Sequence, residues 1–580
     1  MENLPPDPYG LPPDPFDPSS ASGMVQADST PGLPTTKRRG PWVLLVSAAA
    51  VLTLVGGGAF LAVQAFTTVS QAPAASMPPE TDVYLSIDLL QLTGEDTTGA
   101  LVETIRAVLE RLGEDVNDPD DLIADLDDAL RASAGFDFSN DIRPWIGRTV
   151  GVGVLGGNWD PMDYTSTPDV LVAVEVRSDD EAREFLETLQ ASAAAEGIVL
   201  APTTYRDVDL LGWAVEGADV AMAVSDGTLL AGTTRAVQRG IDAQNGTSLA
   251  DNPGFTEATA SLPGSRLFTG WINAGFYRVV YEDLLTTGGE MSPDAELAQG
   301  LLDGWKGASL AVTVTEAGVA FDAVVLFEEG RVPDYYAELL GTGSVPPLLP
   351  TDTLAFFEYG SPAGLWSSVA ASIVGLQPGY EEGLEAFAEE LGFHPIDDFV
   401  AYLDGALGVA LLRSEDGVLE AETGYPVGLV GLVGTSSPGP LRASLTILNE
   451  MLAEEGIVVS TTSVAGNEIY VYDDAGEEVV AFGVTDQRFV IGTSSNDLAR
   501  IGAAGPNLTV NPNYAAAVDA LPGEDYAVSF FADVAGMVDV FGAEGDVRVA
   551  LQPFTAVIAG TNVDGGVYRG SLMVLIDYEE

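Results

Sequence analysis

Ser225-Asp226-Gly227-Thr228-Leu229-Leu230-Ala231-Gly232-Thr233 reads as a tight hairpin, and the chain carries a second version of it 260 residues later, Thr485-Asp486-Gln487-Arg488-Phe489-Val490-Ile491-Gly492-Thr493. In the first version Asp-Gly separates two apolar runs of strand length, Asp219–Val224 and Thr228–Gly232. A two-residue turn of that composition suits the twist of antiparallel strands. Outward from it the match continues. Asn252-Pro253 through Leu262-Pro263-Gly264 corresponds to Asn511-Pro512 through Leu521-Pro522-Gly523 at an offset of 259. Gly135-Phe136, Trp145-Ile146 and Gly151-Val152 correspond to Gly392-Phe393, Tyr402-Leu403 and Gly408-Val409 at 257, and Asp82 is matched with Asp352. Constant order with a small drift in offset is what loop insertions leave in a tandem duplication.

Within a copy the elements alternate in type. Val83–Leu89, Thr149–Val154 and Val170–Val176 carry apolar, β-branched strand patterns, while Leu101–Arg111 has apolar residues at helical spacing. Ser178 is an N-cap candidate, followed by Asp179, Asp180 and Glu181 in the positive first turn of a helix running to Glu196. A last hairpin joins Ser309–Thr315 to Val319–Phe327 through Glu316-Ala317-Gly318, and its counterpart turns at Asp564-Gly565-Gly566. Consecutive hairpins interrupted by helices predict an α+β fold, an antiparallel sheet with helices on one face, built twice. The boundaries follow: repeat 1 over 79–330, a linker over 331–349, and repeat 2 over 350–580.

Ahead of the repeats, Gly40 to Pro79 contains no charge and follows Lys37-Arg38-Arg39 directly. Residues 41–66 are almost wholly apolar, long enough at about 1.5 Å per residue to cross a bilayer core of about 30 Å. Basic residues beside a first span hold that flank in the cytoplasm. The reading is a single-pass membrane protein: tail 1–40 inside, span 41–66 in the lipid, linker 67–78 and the repeats outside the cell membrane. Ala72-Pro73-Ala74 fits a small-x-small cleavage site, whose use would release the outer region. The apolar core is about twice the length of a signal peptide's, which favours retention as an anchor. The tail is rich in Pro, Ser, Thr and Asp, a composition that predicts disorder, and repeats Leu4-Pro5-Pro6-Asp7-Pro8 as Leu11-Pro12-Pro13-Asp14-Pro15.

The chain has 87 acidic and 23 basic residues; five of the acids and three of the bases precede residue 41, leaving 82 against 20 in the outer region, with Lys306 its one lysine. Such a field repels phosphates and excludes nucleic acid as a partner. A saline habitat and a codon bias against lysine both account for it. Cysteine is absent, so the outer region stands without disulfides, as a mass of this size can.

Pro79-Glu80-Thr81-Asp82, Pro350-Thr351-Asp352-Thr353 and Pro144-Trp145-Ile146-Gly147 leading into Gly151-Val152-Gly153-Val154 resemble the DUF3352 proteins, bacterial and mostly membrane-anchored, of unassigned function. The resemblance covers nearly all of 75–580 and implies no catalytic residues.

A search for chemistry finds no catalytic, cofactor-binding or metal site. Cysteine nucleophiles and thiolate metal sites are excluded. A Ser-His-Asp set would have to use His394, the only histidine, which lies in Gly392-Phe393-His394-Pro395 and reads as a turn residue before a helix. Lys306 in Gly304-Trp305-Lys306-Gly307 also reads as a turn residue. The acidic run Glu114–Asp121 fails the EF-hand template, with Pro119 and Asp120 where a ligand and glycine belong. Of the outer tryptophans, Trp159 is the candidate for an exposed contact. The sequons at Asn245 and Asn507 read as chance. The expectation is a non-enzymatic envelope protein that binds or scaffolds, with an envelope protein or glycan as partner. A wall-glycan hydrolase using a carboxylate pair, and a ligand-binding protein with its site in the cleft between the repeats, are the alternatives.

Overall fold

The computed structural model describes residues 72–89, 135–156, 304–332 and 341–363 and most of 168–276 and 393–578, with isolated residues elsewhere. The tail 1–40, the apolar segment 41–66, Leu101–Arg111, the acidic run 114–121 and Trp159 lie outside the described residues. Among the described residues no helix is long and apolar enough to cross a membrane.

Twenty strands form one antiparallel sheet. The first ten are β1 (Thr81–Asp88), β2 (Ile146–Leu155), β3 (Asp169–Val176), β4 (Ala201–Tyr205), β5 (Val208–Val215), β6 (Ala218–Ser225), β7 (Thr228–Thr233), β8 (Phe268–Asn273), β9 (Trp305–Thr315) and β10 (Gly318–Phe327). The last ten are β11 (Thr353–Tyr359), β12 (Leu407–Arg413), β13 (Val427–Gly434), β14 (Val459–Val464), β15 (Asn467–Asp474), β16 (Glu477–Thr485), β17 (Arg488–Gly492), β18 (Ala527–Asp533), β19 (Phe554–Asp564) and β20 (Val567–Ile576). From one edge the pairings run 4-5-6-7-3-2-1-8-9-10, cross to β20, and continue 20-19-18-11-12-13-17-16-15-14. The order on one side of the β10–β20 seam is repeated, strand for strand, on the other.

Local chemistry recurs with it. Thr81 Oγ1 donates to Pro78 O at 2.6 Å, and Thr353 Oγ1 to Pro350 O at 2.7 Å. Asn252 caps the helix Pro253–Ala260 and reaches Pro79 O at 2.9 Å; Asn511 caps Pro512–Ala520 and reaches Thr351 O at 2.8 Å. Glu80 is paired with Arg239 and Asp352 with Arg500. The contacts therefore align Thr81 with Thr353 and Glu80 with Asp352, two residues away from the Asp82–Asp352 match that sequence comparison suggests. Beneath each helix lies an aromatic set: Phe255 meets Tyr84 and Trp271 at 5.7 and 5.9 Å, and Tyr514 meets Phe356 and Phe531 at 6.1 and 5.1 Å. Each edge-on pair adds about 0.5–1.5 kcal/mol beyond burial.

Three sequence expectations change. Helices lie on both faces of the sheet flanks. Leu171 and Ala173 of β3 share a core with the helix Thr234–Gln244, while Val172 packs with the helix Asp179–Ala195 on the other side. The cause is legible in β6 and β7, which are apolar at nearly every position and so need cover on both sides. In the central strands that second face carries Leu85, Leu310, Phe321, Phe357, Val409 and Leu429 at 36–46 % exposure. Secondly, segments assigned to linkers contribute to the cores, since Ala74 and Met77 are buried, as are Val345 and Leu349. Their backbones are fastened too, Leu249 N to Met77 O and Leu508 N to Leu349 O, both at 2.8 Å. Thirdly, Trp305 and Lys306 open β9, because a bulge there lets Gly307 pass the Trp271 ring, 2.2 Å from where a Cβ would stand.

Candidate functional site

The residues singled out in the sequence fall into structural roles. His394 Nδ1 accepts from Asp397 N at 3.1 Å, and His394 N donates to Asp398 at 2.8 Å. Asp137, 257 residues earlier, accepts from Asn140 N at 3.1 Å and donates its own N–H to Asp141 at 2.7 Å. Histidine here does the work of an acidic cap. Lys306 is exposed and lies 3.4 Å from Glu257. Trp145, Trp271 and Trp305 are core residues. The Asn507 side chain caps its own turn, accepting from Thr509 N at 3.1 Å.

What the structure brings together lies on the β10–β20 seam. In this pairing Asp322 stands directly opposite Ser571, with Ala320 opposite Met573 and Val324 opposite Arg569. The helices Pro253–Ala260 and Pro512–Ala520 run over the two sides of the seam, and their C-terminal ends flank a cavity of about 1110 Å³. Ser261, Leu262 and Pro263 line it from one helix end; Ala520, Pro522 and Gly523 line it from the other. Its floor includes Thr313, Asp322 and Arg569, and its rim Asp525, Tyr526 and Asp564.

Five acids are buried among the described residues, and four have partners. Asp88 is paired with Arg148 at 2.6 Å, and Asp497 with Arg500 at 3.6 Å. Asp533 accepts from Gly536 N at 2.9 Å. Glu358 accepts from Thr342 N, Thr342 Oγ1 and Val345 N at 2.7, 2.8 and 3.2 Å. The fifth is Asp322, 5 % exposed; among the described residues it has no ion-pair partner and no hydrogen bond of ordinary length, and the polar group that acts on it is the Ser571 hydroxyl opposite. The buried hydroxyls of Thr313 and Ser571 beside it make no hydrogen bond of ordinary length either. Burial pushes the Asp322 carboxyl above its ordinary value, and the nearby Ser571 hydroxyl pulls it down only in part. Buried polar groups are satisfied in the great majority of cases, and of these three Asp322 and Thr313 line the cavity.

Arg569 is the cavity's basic group. It is half-buried and makes no ion pair with any described residue, in a chain where acids outnumber bases nearly fourfold. The Tyr526 hydroxyl is held above its usual range by burial, and then by the Asp322 charge; Arg569 opposes the shift. The three groups thus share one electrostatic neighbourhood. Among the described residues no three His, Asp or Glu side chains are placed to hold a metal ion.

A family model of a protein of unknown function, DUF3352, matches residues 115–550. The chain belongs to the DUF3352 family. That match takes in β2 to β18 and ends before β19 and β20. No curated protein matches. Among solved structures, crystal forms I and III of TP0453 are similar at 11 % identity. They cover 45 % and 47 % of this chain and 80 % and 87 % of theirs, with TM-scores of 0.21 and 0.22. At those scores the likeness carries no argument.

In the sequence of this DUF3352 chain, Asp322, Thr313, Tyr526 and Arg569 belong to no recognisable motif. One signal was available: Asp322 is the only charge in Gly318–Phe327, at a position where the alternation calls for an inward apolar residue. What it faces could not be read, because Ser571 and Arg569 arrive from a strand some 250 residues away.

Proposed function

We propose that this chain is a single-pass envelope protein whose outer region, a tandem duplication, binds a small polar ligand at the junction between its two halves. The duplication reading rests on the repeated strand order about the β10–β20 seam and on the recurring Thr81/Thr353, Asn252/Asn511 and Glu80/Asp352 contacts. The anchor reading rests on the sequence of residues 37–66. The observation that carries the binding reading is the buried Asp322, without an ion-pair partner among the described residues, on the floor of a cavity shared by both halves. Cavities of about 300–1,000 Å³ with a few convergent polar groups are the usual form of ligand sites.

Two measurements test this. Protease added outside spheroplasts should remove residues 75–580 and spare a tag placed before Lys37; protection of the large region would overturn the topology. A ligand that binds only the folded state raises its melting temperature. The full chain in detergent should therefore be stabilised by some members of a panel of polar metabolites, and the Asp322→Asn/Arg569→Gln variant should lose the effect. Stabilisation that survives in the folded variant, or none with any compound, would overturn the junction as the site.

A further inference from the structure

We infer that the junction takes a zwitterion of the amino-acid or short-peptide class, its carboxylate held by Arg569 and its ammonium by Asp322 with Thr313. This rests on the reading of the junction as a binding site and adds the charge pattern of the ligand.

The argument begins with Arg569. A guanidinium presents a rigid fork of N–H donors that matches a carboxylate with two parallel bonds. In a chain with 87 acids, a half-buried arginine that lines a cavity and pairs with none of the described carboxylates is free to take an incoming one. An anion alone would be a poor ligand, since the net charge of −64 opposes its approach. The ligand must bring positive charge as well.

The rest of the cavity supplies the place for it. Asp322, Asp525 and Asp564 line the same space, against the single arginine. Both flanking helices, of 8 and 9 residues, present their C-terminal ends to it. A helix C-terminus carries about half a negative charge and favours a cation. The Asp322 oxygens, which have spare acceptor capacity beyond the Ser571 hydroxyl, and Thr313 Oγ1 are the kind of acceptors that an ammonium, with three donors, would satisfy. Val324, directly opposite Arg569, lies one inward position along β10 from Asp322, so the two ends of the site are separated by about two residues' rise, some 7 Å. That separation suits the ends of a short peptide. The cavity volume of about 1110 Å³ exceeds what a single small amino acid fills.

The test is calorimetric titration of the full chain in nanodiscs of a zwitterionic lipid. Five probes are compared: alanyl-alanine, its N-acetyl derivative, its C-terminal amide, tri-alanine and lysine. Free alanyl-alanine should bind, and each blocked form should bind about tenfold or more weakly, the scale of one charge-assisted bond. Arg569→Gln should abolish the preference for the free acid over the amide, and Asp322→Asn the preference for the free amine over the acetylated form. Blocked probes that bind as well as the free dipeptide would overturn the zwitterion. So would failure of alanyl-alanine, tri-alanine and lysine to bind at all. If a ligand of another charge class binds and responds to Asp322→Asn, the zwitterion falls and the junction stands. If no ligand's binding responds to either variant, both fall. The blocked probes act on the unaltered protein, so the outcome does not depend on a variant's folding.

Discussion

Asp322 pays a cost that its neighbours avoid. A buried polar group without a partner destabilises the fold by about 1–3 kcal/mol, and the ionised form is the worse of the two. Its carboxyl is raised by burial, so the folded state binds the proton more tightly than the unfolded state does. Protonation therefore favours folding: the penalty is absent below the ordinary value of 3.8, grows as pH rises from there to the folded value, and levels off above it. Asp322→Asn removes the charge and keeps the shape. Its melting midpoint should exceed that of the native chain at pH 7, and the difference should shrink as pH is lowered towards 4. Thermal unfolding of both proteins across that range measures it. A gain that stays constant with pH would mean that Asp322 is not the titrating group.

At the scale of elements, the turns were the legible part. Asp226 and Gly227 adopt φ of 48° and 72°, as a type I′ hairpin requires, and Asp486 adopts 47° at the turn between β16 and β17. Ser178 accepts from Glu181 N at 3.3 Å at the start of its helix, where the sequence placed an N-cap. These signals are local, which is why they can be read from a few residues. The seam is not local. At Gly318 (φ 142°) a Cβ would lie 2.0 Å from Val574 O, so β20 approaches closer than any side chain allows. Nothing near Gly318 in the sequence shows which strand presses against it. Gly318→Val should therefore cost about 2–3 kcal/mol, through both the clash and the backbone conformation. Gly565→Val tips a hairpin with open space around it and should cost only the backbone part. Urea unfolding of the two variants decides the matter; equal losses would mean that the close β10–β20 approach does not set the energy. The candidate site was illegible for the same reason, since Asp322 and Arg569 become neighbours only through that pairing.

At the scale of the whole molecule, the net charge of −64 makes self-repulsion a term in stability, and salt shortens its range from about 10 Å at 0.1 M to 3 Å at 1 M. The melting midpoint should rise between 0.05 and 1 M salt; a midpoint that stayed flat or fell would discount the acidic surface as a stability term. The seam permits a sharper test of the duplication. Thr315 and Gly318 pair across one hairpin, Asp564 and Val567 across the other, so positions 249 apart hold the same place in each half. Asp322 and Ser571 are such a pair, and they also face each other. The seam is therefore nearly two-fold, and a half expressed alone exposes an edge strand able to pair with a second copy of itself. In a pair of first halves, 1–340, the register would set Asp322 against Asp322. Two buried carboxylates cannot both ionise at that distance, so the pair is disfavoured at pH 7 and favoured as one of them takes a proton. In a pair of second halves, 341–580, Ser571 would meet Ser571 without repulsion. Co-expressed halves should thus copurify one to one at pH 7, since Asp322 against Ser571 avoids the clash and restores both cores. Sedimentation should show 341–580 dimerising alone, and 1–340 in detergent staying monomeric at pH 7 and dimerising towards pH 4. In Asp322→Ser the first half should dimerise at both pH values. First halves that pair at pH 7 as tightly as the mixed halves do would deny Asp322 this role, and halves that neither copurify nor self-associate would deny the seam its two-fold character.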